Sequence, residues 1–449
     1  MSSPAYKPQL RPYLAATEAF VLGKDSPRAF LERCLEVMAA IEPEVQAFEA
    51  TNLEAARAAA DAASGRWAEG HPISPIDGMP VGVKDIIETA DMPTGMGSPL
   101  FADYQPRHDS ASVRALREAG AVIVGKTVTT EFAATEPGKT RNPFDITRTP
   151  GGSSSGSAAA VGAGVLSAAL GTQVVGSIIR PSSYCGAFGF KPSLGAINRG
   201  GSLDFLSQSV QGVIGASLED TWAVAYGVAA RAGGDPGYDG LIGPASLPSL
   251  RAPKRLALLE TPGWELAEDA AKAALMNAVD MIAATGVEIV TRKQDSELDY
   301  MERALREAFE LTRRINAFES RWPLNVFFQQ DQYKLSKAMR DRLVQALTIK
   351  PEQHRDALKR RATIRAQYAA LMERFDGCIT LSATGPAPRG TLTGDPIFAV
   401  PGSMLGAPAL SLPLFAVDGL PLGLQLLGVA GGDAAVFSIA GCLLGILQP

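Results

Sequence analysis

The sequence predicts a layered α/β fold built as one large domain. Three observations point there. Residues 112–127, SVRALREAGAVIVGKT, read as helix, glycine stop and strand, the repeating unit of such folds. Short apolar runs bounded by turn residues recur along the chain between stretches of helical text. The composition, 46% hydrophobic with 45 glycines and 31 prolines in 449 residues, supplies a large core and many tight turns.

The elements follow in order. Residues 1–65 read as N-terminal helices, with apolar residues at helical spacing from Leu31 to Ala63 and a break at Pro43. Residues 75–90, PIDGMPVGVKDIIETA, combine turn residues with a buried strand. Residues 158–170 read as a fully buried helix of small residues, and strand text returns near 187–190 and 212–215. Between 264 and 375 charge rises and helical spacing dominates, as in LDYMERALREAFELTRRINAFESRW, which predicts a helical insertion on the surface of the core. FDGCITLSATG (375–385) reads as strand and turn, and the text from Ala407 as two strands joined by the turn VDG.

Composition also narrows the function. The net charge of −5 leaves no broad basic field, so nucleic acid and anionic membrane are poor partners. The N-terminus has no apolar signal segment and no stretch is long enough to span a bilayer. Cys34, Cys185, Cys378 and Cys442 lie far apart with no metal spacing, which fits reduced cysteines of a cytoplasmic protein. The only histidines are His71, His108 and His354, all in loop or charged helical text, so a histidine-based triad or metal site has few sources.

One motif misleads. GAVIVGKT (120–127) matches the P-loop pattern letter for letter, but its four middle residues are themselves a strand, whereas a phosphate loop needs the strand before the first glycine. Three other segments carry more chemistry. In GGSSSGSAAAVGAG (151–164) a Gly-Ser run flows into an uncharged apolar stretch that a solvated linker would not tolerate. In GTQVVGSIIRP (171–181) Ser177 sits in a turn whose backbone N–H groups suit an oxyanion, though a plain capped turn reads the same way. Lys84, inside the apolar run GMPVGVKDI, suits a base of lowered pKa; pairing with Asp85 or snorkelling from a strand end stays open.

VGVKD, GGSSSGSAAA and GTxxxGSxxRP, in this order and spacing, resemble the amidase signature family of serine amidohydrolases. The resemblance covers nearly the whole chain, with RNPFD (141–145), FGFKPS (188–193) and GLPLGLQLLG (419–428) at the family's places. It implies a large mixed twisted sheet covered by helices on both faces. It implies a triad of Lys84 as general base, Ser153 as bridging serine after a cis peptide, and Ser177 as nucleophile. Backbone N–H groups around Val174, Val175 and Gly176 would form the oxyanion hole, with Arg180 and Ser154 at the substrate. The substrate would be a small-molecule amide, with no metal or organic cofactor, in a homodimer.

Two departures stand out. The family's nucleophile text is commonly GTDxGGSxR; here Gln173 replaces Asp and Val175 the first Gly of the pair, and Arg180 follows the serine by three residues rather than two. The arrangement GTQxxGSxxRP resembles the malonamidase and biuret-hydrolase-type branch, in which the matching arginine grips a carboxylate or carbonyl; a structural arginine is the other reading. The amidase subunit of a glutamine-dependent tRNA amidotransferase, a hydrazidase or arylamidase variant, and an inactive binding scaffold are the alternatives. Carboxylated, aryl, hydrazide and biuret-like amides all remain open as substrates.

Overall fold

Strands β1 (Phe48–Thr51), β2 (Pro80–Lys84), β3 (Val122–Thr127), β4 (Ala168–Gln173), β5 (Phe188–Lys191), β6 (Val210–Gly215), β7 (Arg255–Leu258), β8 (Glu288–Val290), β9 (Gly377–Leu381), β10 (Ala409–Val417) and β11 (Leu420–Leu427) form one sheet in the computed structural model, which describes residues 7–134 and 136–448. Their order is β1-β3-β2-β4-β6-β5-β10-β11-β9-β7-β8. The sheet is mixed. β2 runs parallel to β3 and β4, and β7 to β8 and β9, while the remaining pairs are antiparallel.

Both faces are covered because the central strands β2, β3 and β4 are buried at every position. Along β3, Ile123 packs into one core while Val122 and Val124 pack into another; along β4, Ala168 and Leu170 face the first and Ala169 the second. Alternation of side chains across a pleated strand therefore feeds two cores, and helices close each of them. The turn between β10 and β11 places Asp418 and Gly419 at φ 51° and 75°, the left-handed pair that a tight hairpin demands.

Several sequence expectations need correction. The stretch 158–170 is not one helix: helix Ser155–Gly162 ends and β4 starts at Ala168. Short buried runs of Ala, Val and Leu carry no period that separates helix from strand. Pro43 does not break its helix; Pro27–Val45 runs on to a left-handed cap at Gln46, with Pro43 in the last turn. β1 lies inside the expected N-terminal helices, and β8 inside the expected helical stretch 264–375. Helix Asp269–Ala284 is the crossover between the parallel strands β7 and β8, so it covers the sheet.

Helix Ser155–Gly162 is wholly buried and passes very close to its neighbours. A Cβ at Gly156 would lie 2.2 Å from the Ala47 carbonyl oxygen and 2.4 Å from the Val128 nitrogen. Both are backbone atoms and cannot rotate away. Gly156→Ala is expected to cost about 3 kcal/mol, the upper range of overpacking, read as a lower urea midpoint; an unchanged midpoint contradicts this packing.

Candidate active site

The site forms where two neighbouring parallel strands end. β2 delivers Lys84 and β4 delivers Thr172, with Val83 paired to Leu170. Open sheets of this kind place their sites outside strand ends. Lys84 is fully buried; its Nζ lies 2.8 Å from Ser153 Oγ, 2.7 Å from Thr172 Oγ1 and 3.5 Å from the Thr172 carbonyl. Burial pulls its ammonium down to about 7, with the Asp204 carboxylate acting in the opposite sense. Asp85 does not pair with Lys84. It lies 3.1 Å from Lys126, the lysine of the P-loop look-alike, which is a buried residue of β3.

The Gly-Ser run feeds this lysine from the other side. The Gly152–Ser153 peptide bond is cis, and Ser153 is buried against Lys84. Ser154, expected at the substrate, has its hydroxyl directed to the β4 backbone. Ser154 is fully buried, and its Oγ lies 3.3 Å from both the nitrogen and the carbonyl oxygen of Thr172, tying the run to β4.

Ser177 stands on the turn after β4. Its hydroxyl is half-buried, lines a large cavity and makes no hydrogen bond among the described residues, so the Ser153–Ser177 leg is open here. The turn's carbonyls are drawn elsewhere. Val174 O accepts from Gln208 Nε2 at 2.9 Å, Val175 O from Ser403 Oγ at 2.8 Å, and Gly176 O from the Arg180 amide at 3.1 Å. The N–H groups of residues 174–177 make no hydrogen bond among the described residues. Unpaired amides beside a serine hydroxyl are the arrangement that stabilises an oxyanion.

The unusual residues of this turn have defined tasks. Gln173 Oε1 accepts from the amides of Ile178 and Ile179 at 2.8 and 3.0 Å, and its Nε2 donates to Ser403 Oγ at 2.9 Å. One side chain thus fixes both ends of the turn. Val175 keeps a negative φ, and its side chain packs against a core that includes Ile179 and Ala399. Gln173→Ala is expected to lower kcat about a hundredfold with a smaller change in KM, because the oxyanion donors lose their anchor. Steady-state kinetics check this; a kcat within about threefold of wild type contradicts it.

Arg180 is buried and lines the cavity. Its Nη2 donates to Gly152 O at 2.6 Å, its Nε is buried without a partner, and it has no acidic partner at ion-pair distance among the described residues. Burial pushes its guanidinium down. It therefore braces the serine run and faces the cavity at once.

Four contributors escaped the sequence reading: Thr172, Gln208, Ser403 and Asp204. Thr172 lies within the nucleophile motif. Gln208 and Ser403 reach the turn from 34 and 228 residues away, with no local signal. Asp204 is buried, lines the cavity, accepts from Ser209 Oγ and is raised by burial. The histidines stay outside: His108 pairs with Glu88, His354 stacks on Phe318, and His71 is exposed. Among the described residues, no group of His, Cys, Asp and Glu could hold a metal ion, and no helix is long and apolar enough to cross a membrane.

The cavity measures about 880 Å³ and lies between Val174, Val175, Ser177 and Arg180 on one side and helices Ala308–Glu319, Arg321–Asp331 and Lys337–Thr348 on the other.

Comparison with known proteins agrees with this fold. The family described as Amidase matches residues 29–437. A glutamyl-tRNA(Gln) amidotransferase subunit from Chloroflexus aggregans (strain MD-66 / DSM 9485) is 31% identical, over 95% of this chain and 94% of its own. A crystal structure of an amidase superposes with TM-score 0.84 at 28% identity, over 98% of this chain and 100% of that one. A chain of a vestigial complex connected with the origins of an s-triazine catabolic enzyme superposes with TM-score 0.84 at 26% identity, over 97% and 98%. None of these assigns the chain to the malonamidase and biuret-hydrolase-type branch. The chain belongs to the amidase family and is a hydrolase of carbon–nitrogen bonds other than peptide bonds.

Proposed function

We propose that the protein hydrolyses the amide bond of a small molecule to a carboxylic acid and ammonia or an amine, through an acyl-enzyme on Ser177. The observation that carries this is the buried Lys84, held near neutrality and 2.8 Å from Ser153 Oγ. A neutral amine keeps two N–H bonds, which the hydroxyl and carbonyl of Thr172 accept, and its lone pair is free for the Ser153 proton. Ser153 in turn accepts the Ser177 proton once the Ser177 side chain rotates towards it; catalytic hydrogen bonds commonly tighten only with substrate bound. Ser177 Oγ then attacks the carbonyl carbon, and the free amides of residues 174–177 hold the oxyanion. The relayed proton passes to the leaving nitrogen and the C–N bond breaks. Water, deprotonated by the same relay, releases the acid and restores Ser177.

A second reading, the amidase component of a glutamine-dependent tRNA amidotransferase, is favoured by the Chloroflexus aggregans relative at 31% identity over 95% of this chain. The same triad would release ammonia from glutamine, and a partner protein would use it. Ammonia release by the purified chain alone, measured on glutamine and on a panel of other amides with Ser177→Ala as control, separates the readings. Turnover of non-glutamine amides without a partner is the expected result. Turnover confined to glutamine, or dependent on a co-purified protein, favours the amidotransferase, and activity surviving Ser177→Ala overturns both.

A further inference from the structure

We propose that the amide cleaved at Ser177 carries a large apolar substituent of the arylalkyl class, seated between the nucleophile turn and the helices of residues 308–348. This rests on the amidase reading above. The cavity that Ser177 opens into, about 880 Å³, lies near the upper end of small-molecule sites. An amide of about seven to ten non-hydrogen atoms, such as malonamate or glutamine, would leave most of it filled with water against apolar side chains.

The walls are aromatic and aliphatic. Phe132 and Phe327 stack with ring centres 4.8 Å apart, and Phe101 meets Phe327 edge-on at 5.1 Å. Leu324, Phe327 and Met339 belong to a small core of their own that joins the rest of the molecule through Phe101 and Phe132. Helices 321–348 thus present Leu324, Phe327, Met339 and Val344 to the cavity, beside the polar Asp341, Arg342 and Gln345, and are anchored by aromatic contact. The wall is also strained. Phe132 and Ala133 are consecutive non-glycine residues at φ 47° and 55°, held by the bond from Phe132 N to Met96 O. Such backbone persists where packing over-determines it, commonly beside a bound ligand.

The mouth repeats the chemistry. Phe205, Phe309 and Trp322 line the cavity, yet are 65%, 44% and 71% exposed. An apolar rim continuous with an apolar interior suits an apolar group entering from water. Of the charged side chains at the cavity, Arg313 pairs with Glu310 and Asp341 with Lys337, Asp204 accepts from Ser209, Arg180 donates to the Gly152 carbonyl while its Nε stays unpartnered, and Arg342 makes no ion pair among the described residues.

The test is kcat/KM of the purified full-length chain for primary carboxamides of rising apolar size, from acetamide through butanamide to 3-phenylpropanamide and 4-phenylbutanamide, with glutamine and malonamate as the polar arm. The arylalkyl amides are expected to exceed acetamide, glutamine and malonamate by about a hundredfold or more. Phe327→Ala, and independently Phe205→Ser at the exposed rim, are expected to reduce the 3-phenylpropanamide-to-acetamide preference, by about tenfold and about threefold. Equal or better turnover of the small or polar amides, or a preference unmoved by both variants, overturns the inference and leaves the amidase reading standing. Absence of Ser177-dependent turnover on every amide overturns the amidase reading itself.

Discussion

Lys84→Met is expected to lower kcat by at least about a thousandfold while the protein stays folded. Among the described residues the amine is the only group at hydrogen-bond distance from the Ser153 hydroxyl that can take its proton, and none of the histidines lines the cavity to replace it. Methionine fills a similar volume without a charge, so the loss reports chemistry more than packing. Lys84→Arg should be equally inactive, because a guanidinium does not deprotonate in this pH range. In the wild type, protonation of Lys84 removes the base, so log kcat/KM should fall with falling pH below about 7. Stability moves in a linked way. Burial depresses the folded value from 10.5 to about 7, so between these the unfolded chain holds a proton that the folded chain lacks. Stability conferred by this site therefore rises as pH rises through that window, and the penalty of a buried ammonium is full below it. Denaturation of wild type and Lys84→Met across pH 6–10 should show their difference shift in this sense. A pH-rate profile flat from 5 to 9 contradicts the assigned base.

Ser177→Ala is expected to lose about ten-thousandfold or more in kcat. Folding should be intact, since the half-buried hydroxyl bonds to no described residue. A residual rate above the uncatalysed reaction should survive, because the amides of residues 174–177 and the cavity can still bind and polarise the carbonyl. Combining Ser177→Ala with Lys84→Met should cost little more than either alone, because a relay that has lost one member gains nothing from the others. Full additivity in the double variant would mean that the two side chains act independently.

Lys84, Ser153 and Ser177 were readable because each sits in a local motif of fixed spacing, and β2 and β4 then carry two of those motifs side by side. Several of the sheet's central strands were readable for a related reason, being short apolar runs between turn residues; β4 was not, because Ala168–Leu170 read as the end of a helix of small residues. β1 and β8 were not: both are edge strands of three or four residues, partly exposed and without a strong pattern. Ser153 and Ser154 are equivalent in a run of three serines, and only the phase of the backbone decides that one faces Lys84 while the other bonds to the Thr172 backbone. Gln173 stood out in the sequence only as a departure from the family's Asp. Its longer side chain instead reaches Ser403, a contact across 230 residues that no local pattern encodes. Gln208 is hidden in the same way, visible only once the chain places it against Val174.

Acylation of Ser177 through the Lys84–Ser153 relay is the central claim. Rapid acid quench during turnover of a slowly hydrolysed amide, followed by peptide mass mapping, tests it most directly. An acyl adduct on Ser177 is expected in the wild type and none in Lys84→Met under the same conditions. An adduct on Ser153 or Ser154, or steady turnover with no adduct at Ser177 even when deacylation is slowed, would contradict it.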